Sequence, residues 1–233
     1  MAPRTKLHQA AQIPGYWHEA VALLSARDPV MGRIALAAHP QTLRSRGAPF
    51  TTLVRSIVGQ QISVKAADAV WARMTAVLGA HPQQPEITPS AVISQSALLA
   101  SVGLSARKRI YIHGLAQWFI ANSDLNDRLV SLSDQEVIGL LTAQHGIGRW
   151  TAEMFLIFTL MRPDVFPVDD LGVLKALDLH YSRALAGYRR HHPGETPAAR
   201  RARALRLAER WRPYRTVASW LLWRSLDPVP VEY

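Results

Sequence analysis

Proline and glycine in this chain stand between stretches of helical apolar periodicity, and no alternation of polar and apolar residues persists anywhere along it. No two apolar runs are joined by Asn-Gly or Asp-Gly, so neither strands nor hairpin turns have a sequence to form from. The pattern predicts an all-α protein of about ten helices, with no repeat and no flexible linker. Helices are expected over 16–24, from Asp28-Pro29 with proline at the first helical position, and over 106–121. Residues 50–78 form one long apolar-periodic stretch, 81–89 read as a loop, and 94–100 are short and lead into Gly103. Ser133-Asp134-Gln135-Glu136 is a capping box opening a helix to about residue 144. A further helix runs from about Arg149 to 160, Thr196-Pro197 opens an arginine-rich one, and Pro213 interrupts before 216–224.

A chain of 233 residues suffices for one domain or two small lobes sharing a core, and an apolar content of 48% excludes wholesale disorder. The absence of cysteine excludes a disulfide scaffold, an iron–sulfur cluster, cysteine-ligated zinc and a thiol nucleophile. The longest strongly apolar run, 154–161, is far short of the roughly 18–20 residues of a membrane span, and the basic N-terminus has no signal-peptide core. An intracellular, cytoplasmic protein with no membrane partner is expected. Net charge is +10, and 181–225 holds eleven Arg against two acids. Either a solvated helix face or a polyanion-facing surface accounts for that stretch. The nine histidines show no metal-ligand spacing, and His191-His192 reads as solvated loop.

The segment 141–175 carries the most chemistry. Helix, His145-Gly146-Ile147-Gly148, helix is a tight turn in which Ile147 plugs the core and backbone N–H groups are left at the start of the second helix. Such groups, with the helix dipole behind them, suit a phosphate, although an ordinary αα-corner has the same form. About twenty residues on, Phe166-Pro167-Val168-Asp169-Asp170 places two adjacent carboxylates after a proline-stiffened approach. One of the pair is expected to cap a helix, and the other to stand at a pocket mouth.

These pieces together resemble the helix-hairpin-helix DNA glycosylase superfamily, in its DNA-3-methyladenine glycosylase II branch. The resemblance extends over 50–223. It is carried by the run from Leu53 to Ser63 containing Gly59-Gln60-Gln61-Ile62-Ser63, by Gly103-Leu104-Ser105-Ala106-Arg107-Lys108, and by Gly146-Ile147-Gly148-Arg149-Trp150-Thr151-Ala152. Pro167-Val168-Asp169-Asp170 and Glu209-Arg210-Trp211-Arg212-Pro213-Tyr214-Arg215 with Trp220 and Trp223 complete it.

The resemblance implies a monomeric base-excision repair enzyme acting on double-stranded DNA that contains damaged bases, here alkylated purines of the 3-methyladenine and 7-methylguanine type. Another lesion, such as a deaminated purine, and a non-catalytic DNA-gripping module are the competing readings. Asp170 becomes the catalytic carboxylate, stabilising an oxocarbenium-like sugar or orienting water, with Asp169 capping or orienting. Trp150 stands where backbone-cutting relatives carry a Schiff-base lysine, which implies a monofunctional glycosylase without lyase activity. Trp150 and Trp223 match pocket aromatics that would attract a cationic base, while Met154 and Leu171 replace two other pocket rings. Trp211 and Trp220 are left as core.

Gln61, with Gln60 beside it, falls where the family inserts a wedge into the gap left by the extruded base. Phosphate contacts fall to Gly146, Gly148 and Trp150. No cofactor is required, but the family often holds a sodium or potassium ion on carbonyls of this turn, here Thr142, His145 and Ile147. The implied fold is the compact two-lobed helical core without an N-terminal β-domain. One lobe is 1–49 plus 170–233, the other 50–169, and Asp170 is expected in the cleft between them.

Overall fold

The computed structural model describes residues 12–80, 86–181 and 196–226. His191-His192, three arginines of the basic stretch (Arg183, Arg189 and Arg190) and residues 81–85 of the expected loop lie outside them. The described residues hold twelve α-helices, two 3-10 turns and no strand. None of these helices is long and apolar enough to cross a membrane.

The helices are α1 (Trp17–Arg27), α2 (Pro29–Ala38), α3 (Pro49–Gly59), α4 (Val64–Val77), α5 (Pro89–Ser94) and α6 (Ala106–Ala121). There follow α7 (Leu125–Ser131), α8 (Asp134–Thr142), α9 (Arg149–Phe158), α10 (Leu171–His180), α11 (Pro197–Ala208) and α12 (Arg215–Leu226). Their starts follow local chemistry. Side-chain oxygens of Asp28, Ser63, Thr88, Ser105, Ser133, Asp170 and Thr196 each accept from a backbone N–H in the first turn of α2, α4, α5, α6, α8, α10 and α11. The capping box closes in both directions, with Ser133 N–H donating to Glu136 Oε2 at 2.8 Å. The stretch 50–78 holds two helices, divided at 60–63 where Gln61 adopts φ +58°.

The described residues form two compact units, one of Gln12 with Ser45–Leu160 and one of Ile13–Arg44 with the described residues from Met161 on. The first unit is built around α3, whose Phe50, Leu53, Val54, Ile57 and Val58 are all buried, and α3 packs on α4, α6 and α9. This i, i+3, i+4, i+7, i+8 spacing lays one apolar stripe along the helix. Buried Thr51 is satisfied twice over, donating to the Ile87 carbonyl at 3.2 Å and accepting from the Ile87 N–H at 3.1 Å. Helix α9 is buried at every position from Thr151 to Phe158 and forms a hairpin with α8.

In the second unit α12 packs against α2, α10 and α1. Asp28, 2% exposed, accepts from Val30 N–H at 3.0 Å, Tyr181 O–H at 2.9 Å and Trp211 Nε1–H at 3.1 Å. Trp211 and Trp220 are buried, as expected of core residues. The chain changes unit at 44/45 and 160/161, ahead of the 49/50 and 169/170 divisions read from the sequence. The approach to Asp170 is anchored to α12: Thr216 Oγ1 donates to the Arg162 carbonyl at 2.6 Å and accepts from Val165 N–H at 3.0 Å.

Candidate active site and nucleic-acid interface

The turn between α8 and α9 is shaped by one glycine and left open at another. Gly146 sits at φ +86°, and the ring of Tyr111 lies over it so closely that a Cβ there would stand 2.3 Å from Tyr111 Cδ2. Only glycine meets both conditions. Gly148, the N-cap of α9, has φ −90° and nothing within 4 Å of where a Cβ would be. It offers no side chain to the first turn, whose N–H groups have no acceptor within the helix. Ile147 is buried as a plug.

The 60–63 loop stands beside this turn and separates the two glutamines. Gln60 Nε2 donates to the Gly146 carbonyl at 2.8 Å, which ties its side chain to the hairpin turn. Gln61 is exposed, with its backbone in the left-handed region, and Ile62 beside it is also exposed.

In the second unit, Asp170 is the N-cap of α10. Its Oδ1 accepts from Val173 N–H and from the indole N–H of Trp223, each at 2.8 Å. Gly172 makes room for this junction: a Cβ there would meet Trp223 Cδ1 at 3.0 Å and Asp170 Oδ1 at 3.1 Å. Asp169 does not cap. It is exposed and receives Arg201 Nε at 3.0 and 3.3 Å. The division of labour between the two carboxylates is thus the reverse of the expected one as regards capping.

Arginines of the basic stretch pair with acids of the second unit. Arg215 clamps Asp164 with Nε at 2.8 Å and Nη2 at 2.9 Å, and Arg212 reaches the same carboxylate at 2.7 Å. Arg200 and Arg203 pair with Asp178, and Arg210 approaches Asp28 at 3.8 Å. Arg203 and Arg215 are largely buried in these pairs, whereas Arg210 and Arg212 keep about half of each side chain exposed. All five fasten acids of their own unit.

A family model described as "HhH-GPD superfamily base excision DNA repair protein" matches residues 54–210, a span that takes in the Gln60–Gln61 loop, the Gly146 turn and Asp170. The chain belongs to this superfamily. DNA-3-methyladenine glycosylase 1 of Schizosaccharomyces pombe is 32% identical over 191 residues, 80% of this chain and 76% of the relative. DNA-3-methyladenine glycosylase 2 of Escherichia coli is 30% identical over 203 residues, 83% of this chain and 63% of the relative. A solved DNA-3-methyladenine glycosidase from Bacillus halodurans superposes with a TM-score of 0.72 at 30% identity, covering 89% of each chain. The S. pombe enzyme solved in complex with abasic DNA gives 0.69 at 28% identity, covering 92% of this chain and 99% of that one.

Set in the superfamily, the remaining candidates distribute as follows. Trp150, in the first turn of α9, is 38% exposed and so is not a core residue. Met154, one turn on, is 5% exposed within its unit, whereas Leu171 is 79% exposed at the start of α10. Trp223 is half-buried, and its N–H is spent on Asp170. Thr142 and His145 are exposed. No cluster of His, Asp and Glu among the described residues fits a metal ion. Sequence reasoning missed Gly172, Asp164, Arg215 and Lys108. Only Arg215 and Lys108 stood inside motifs of the superfamily, and nothing local marks what any of the four touches.

Proposed function

We propose that the protein is a monofunctional DNA glycosylase that excises alkylated purines of the 3-methyladenine and 7-methylguanine type from double-stranded DNA and leaves an abasic site. The observation that carries this is the clamped carboxylate: Asp170 is held through Oδ1 by two donors at 2.8 Å, one from its own helix and one from Trp223. Breaking the C1′–N bond sends the bonding electron pair out with the base and leaves positive charge on the sugar. A carboxylate fixed before the reaction stabilises that charge without reorganising, or holds the water whose oxygen then bonds C1′ as the carboxylate takes its proton. Alkylation makes the base a better leaving group, so little further acid catalysis is needed.

Gln61 fills the gap in the stack, and the N–H groups at Gly146, Gly148 and Trp150 grip the phosphate backbone. Trp150 and Trp223 offer rings to the cationic base. The indole of Trp150 cannot form an imine, which supports hydrolysis without strand cleavage. The relatives named for 3-methyladenine, and the S. pombe relative solved on abasic DNA, support the same substrate and product. We place an alkali ion at the carbonyls of Thr142, His145 and Ile147. A purely carbonyl donor set suits a hard monovalent cation, and its contribution is to hold the turn rigid. The enzyme acts as a monomer inside the cell.

The deciding experiment is release of free bases from methylated duplex DNA by wild type and Asp170→Asn side by side. Release by wild type alone is expected. No release by wild type despite DNA binding would overturn the reading, and equal release by both would remove Asp170 from the chemistry.

A further inference from the structure

Lys108 lies outside every role assigned above, yet it holds the loop that carries Gln61. It stands in the first turn of α6, where its ammonium donates to the Val58 carbonyl at 2.7 Å and to the Gln60 carbonyl at 2.8 Å. These acceptors end α3, so a cation sits against the carbonyl pole of that helix. Gln60, held through its backbone oxygen, reaches with its side chain to the Gly146 carbonyl at 2.8 Å. One turn along α6 from Lys108, the Tyr111 ring covers Gly146 itself. Two loops far apart in sequence are thereby tied to one face of α6: 60–63, which presents Gln61, and 143–148, which presents the hairpin N–H groups. Burial lowers the affinity of Lys108 for its proton relative to an ordinary lysine, and the ammonium is nonetheless engaged by two carbonyls.

We propose that Lys108 is a positioning residue for base extrusion, which through Gln60 couples the Gln61 loop to the Gly146 turn so that phosphate grip and wedge insertion occur as one rigid-body event. The alternative arrangement, a Gln61 loop free to move against the hairpin, would let the protein grip DNA without presenting the wedge. Gln61 itself is held by a left-handed φ of +58°. A glutamine there is strained, and such strain persists only where surrounding contacts over-determine it. The two bonds from Lys108 and the one from Gln60 supply those contacts.

The proposal rests on the wedge reading of Gln61, and its test separates the two. The probes are a duplex with 2-aminopurine next to a tetrahydrofuran abasic analogue, for insertion, and a duplex with 7-methylguanine, for single-turnover excision at saturating enzyme. The variants are Lys108→Met, which keeps the stem and removes the donor, and Gln60→Glu, which is isosteric and sets a carboxylate against the Gly146 carbonyl. Each should lose most of the fluorescence rise and roughly ten-fold in single-turnover rate, with duplex affinity changed by no more than about three-fold. The double variant should be no worse than the poorer single one, because both break the same connection. Wild-type fluorescence and rate in either variant would overturn the proposal, as would losses that add, or affinity and melting temperature falling in step with rate. If Gln61→Ala keeps the full fluorescence rise, the wedge reading fails first. If wild type excises nothing, the alkylpurine reading fails while the fluorescence still decides the role of Lys108.

Discussion

The indole N–H of Trp223 donates to Oδ1 of Asp170 at 2.8 Å, joining the carboxylate at the start of α10 to a ring on α12. The ring thus serves the carboxylate through its edge. Because Val173 N–H shares the same oxygen, the orientation of the carboxyl plane is set by two elements at once. Trp223→Phe keeps a ring and removes one of the two donors. A hydrogen bond to a charged group is worth about 1.5–3 kcal/mol, so single-turnover excision should fall by roughly 10- to 100-fold. Affinity for undamaged duplex should stay as it was. Equal excision by Trp223→Phe and wild type would show that the ring alone matters.

Gly172 gives a cleaner separation of function from stability. In a helix, alanine is favoured over glycine by about 0.8–1 kcal/mol. Here a Cβ would press on Trp223 Cδ1 at 3.0 Å and on Asp170 Oδ1 at 3.1 Å, so these atoms must yield by a few tenths of an ångström. Gly172→Ala should therefore melt at or above the wild-type temperature while excising more slowly. Calorimetry and single-turnover kinetics on one preparation check both halves, and a variant that is both less stable and fully active would contradict the argument.

What the sequence shows and what it hides follows the range of the interactions. Asp28-Pro29, the Ser133–Glu136 box, Thr196-Pro197 and Gly146 were legible because a cap or a left-handed turn is decided within four residues. The left-handed backbone of Gln61 at φ +58° was not, because it is held from α6 and from the hairpin. The partners that hold the two carboxylates were hidden for the same reason: Arg201 is 32 residues from Asp169 and Trp223 is 53 from Asp170. The pairing of the arginines was hidden because their acids, Asp28, Asp164, Asp169 and Asp178, are scattered along the chain. Superfamily motifs named the chemistry of Asp170 but not the groups that hold it.

The two hairpin glycines should fail differently. Gly146→Ala adds a Cβ 2.3 Å from Tyr111 Cδ2 at φ +86°, where the backbone alone costs an L-residue about 1–2 kcal/mol. It should lose at least about 2 kcal/mol of folding stability, since a packed ring must also shift. Gly148→Ala meets nothing within 4 Å at an ordinary φ, so its stability should stay within about 0.5 kcal/mol of wild type. Its methyl group would instead stand in the way of a phosphate. Weaker duplex binding with unchanged urea midpoint is expected for Gly148→Ala, and a loss of stability equal to that of Gly146→Ala would refute the distinction.

Alkali should loosen the second unit through its buried phenols. Tyr181 donates to Asp28 at 2.9 Å, and its proton is held above the ordinary tyrosine value of 10.0, first by burial and then by the charge and hydrogen bond of Asp28. Tyr16, whose O–H donates to the Met161 carbonyl at 2.9 Å, is raised by burial alone. The folded state therefore keeps protons that the unfolded chain releases near pH 10, so the folded state binds more protons and stability falls as pH rises. The contribution is complete below pH 10 and declines above it. Tyr181→Phe abolishes that phenol's share of the slope, but it leaves Asp28 short of one donor and lowers stability at neutral pH. Urea midpoints between pH 8 and pH 11 should thus converge for wild type and Tyr181→Phe as pH rises. Parallel curves would mean that Tyr181 titrates as an ordinary surface tyrosine and that the bond to Asp28 does not persist in solution.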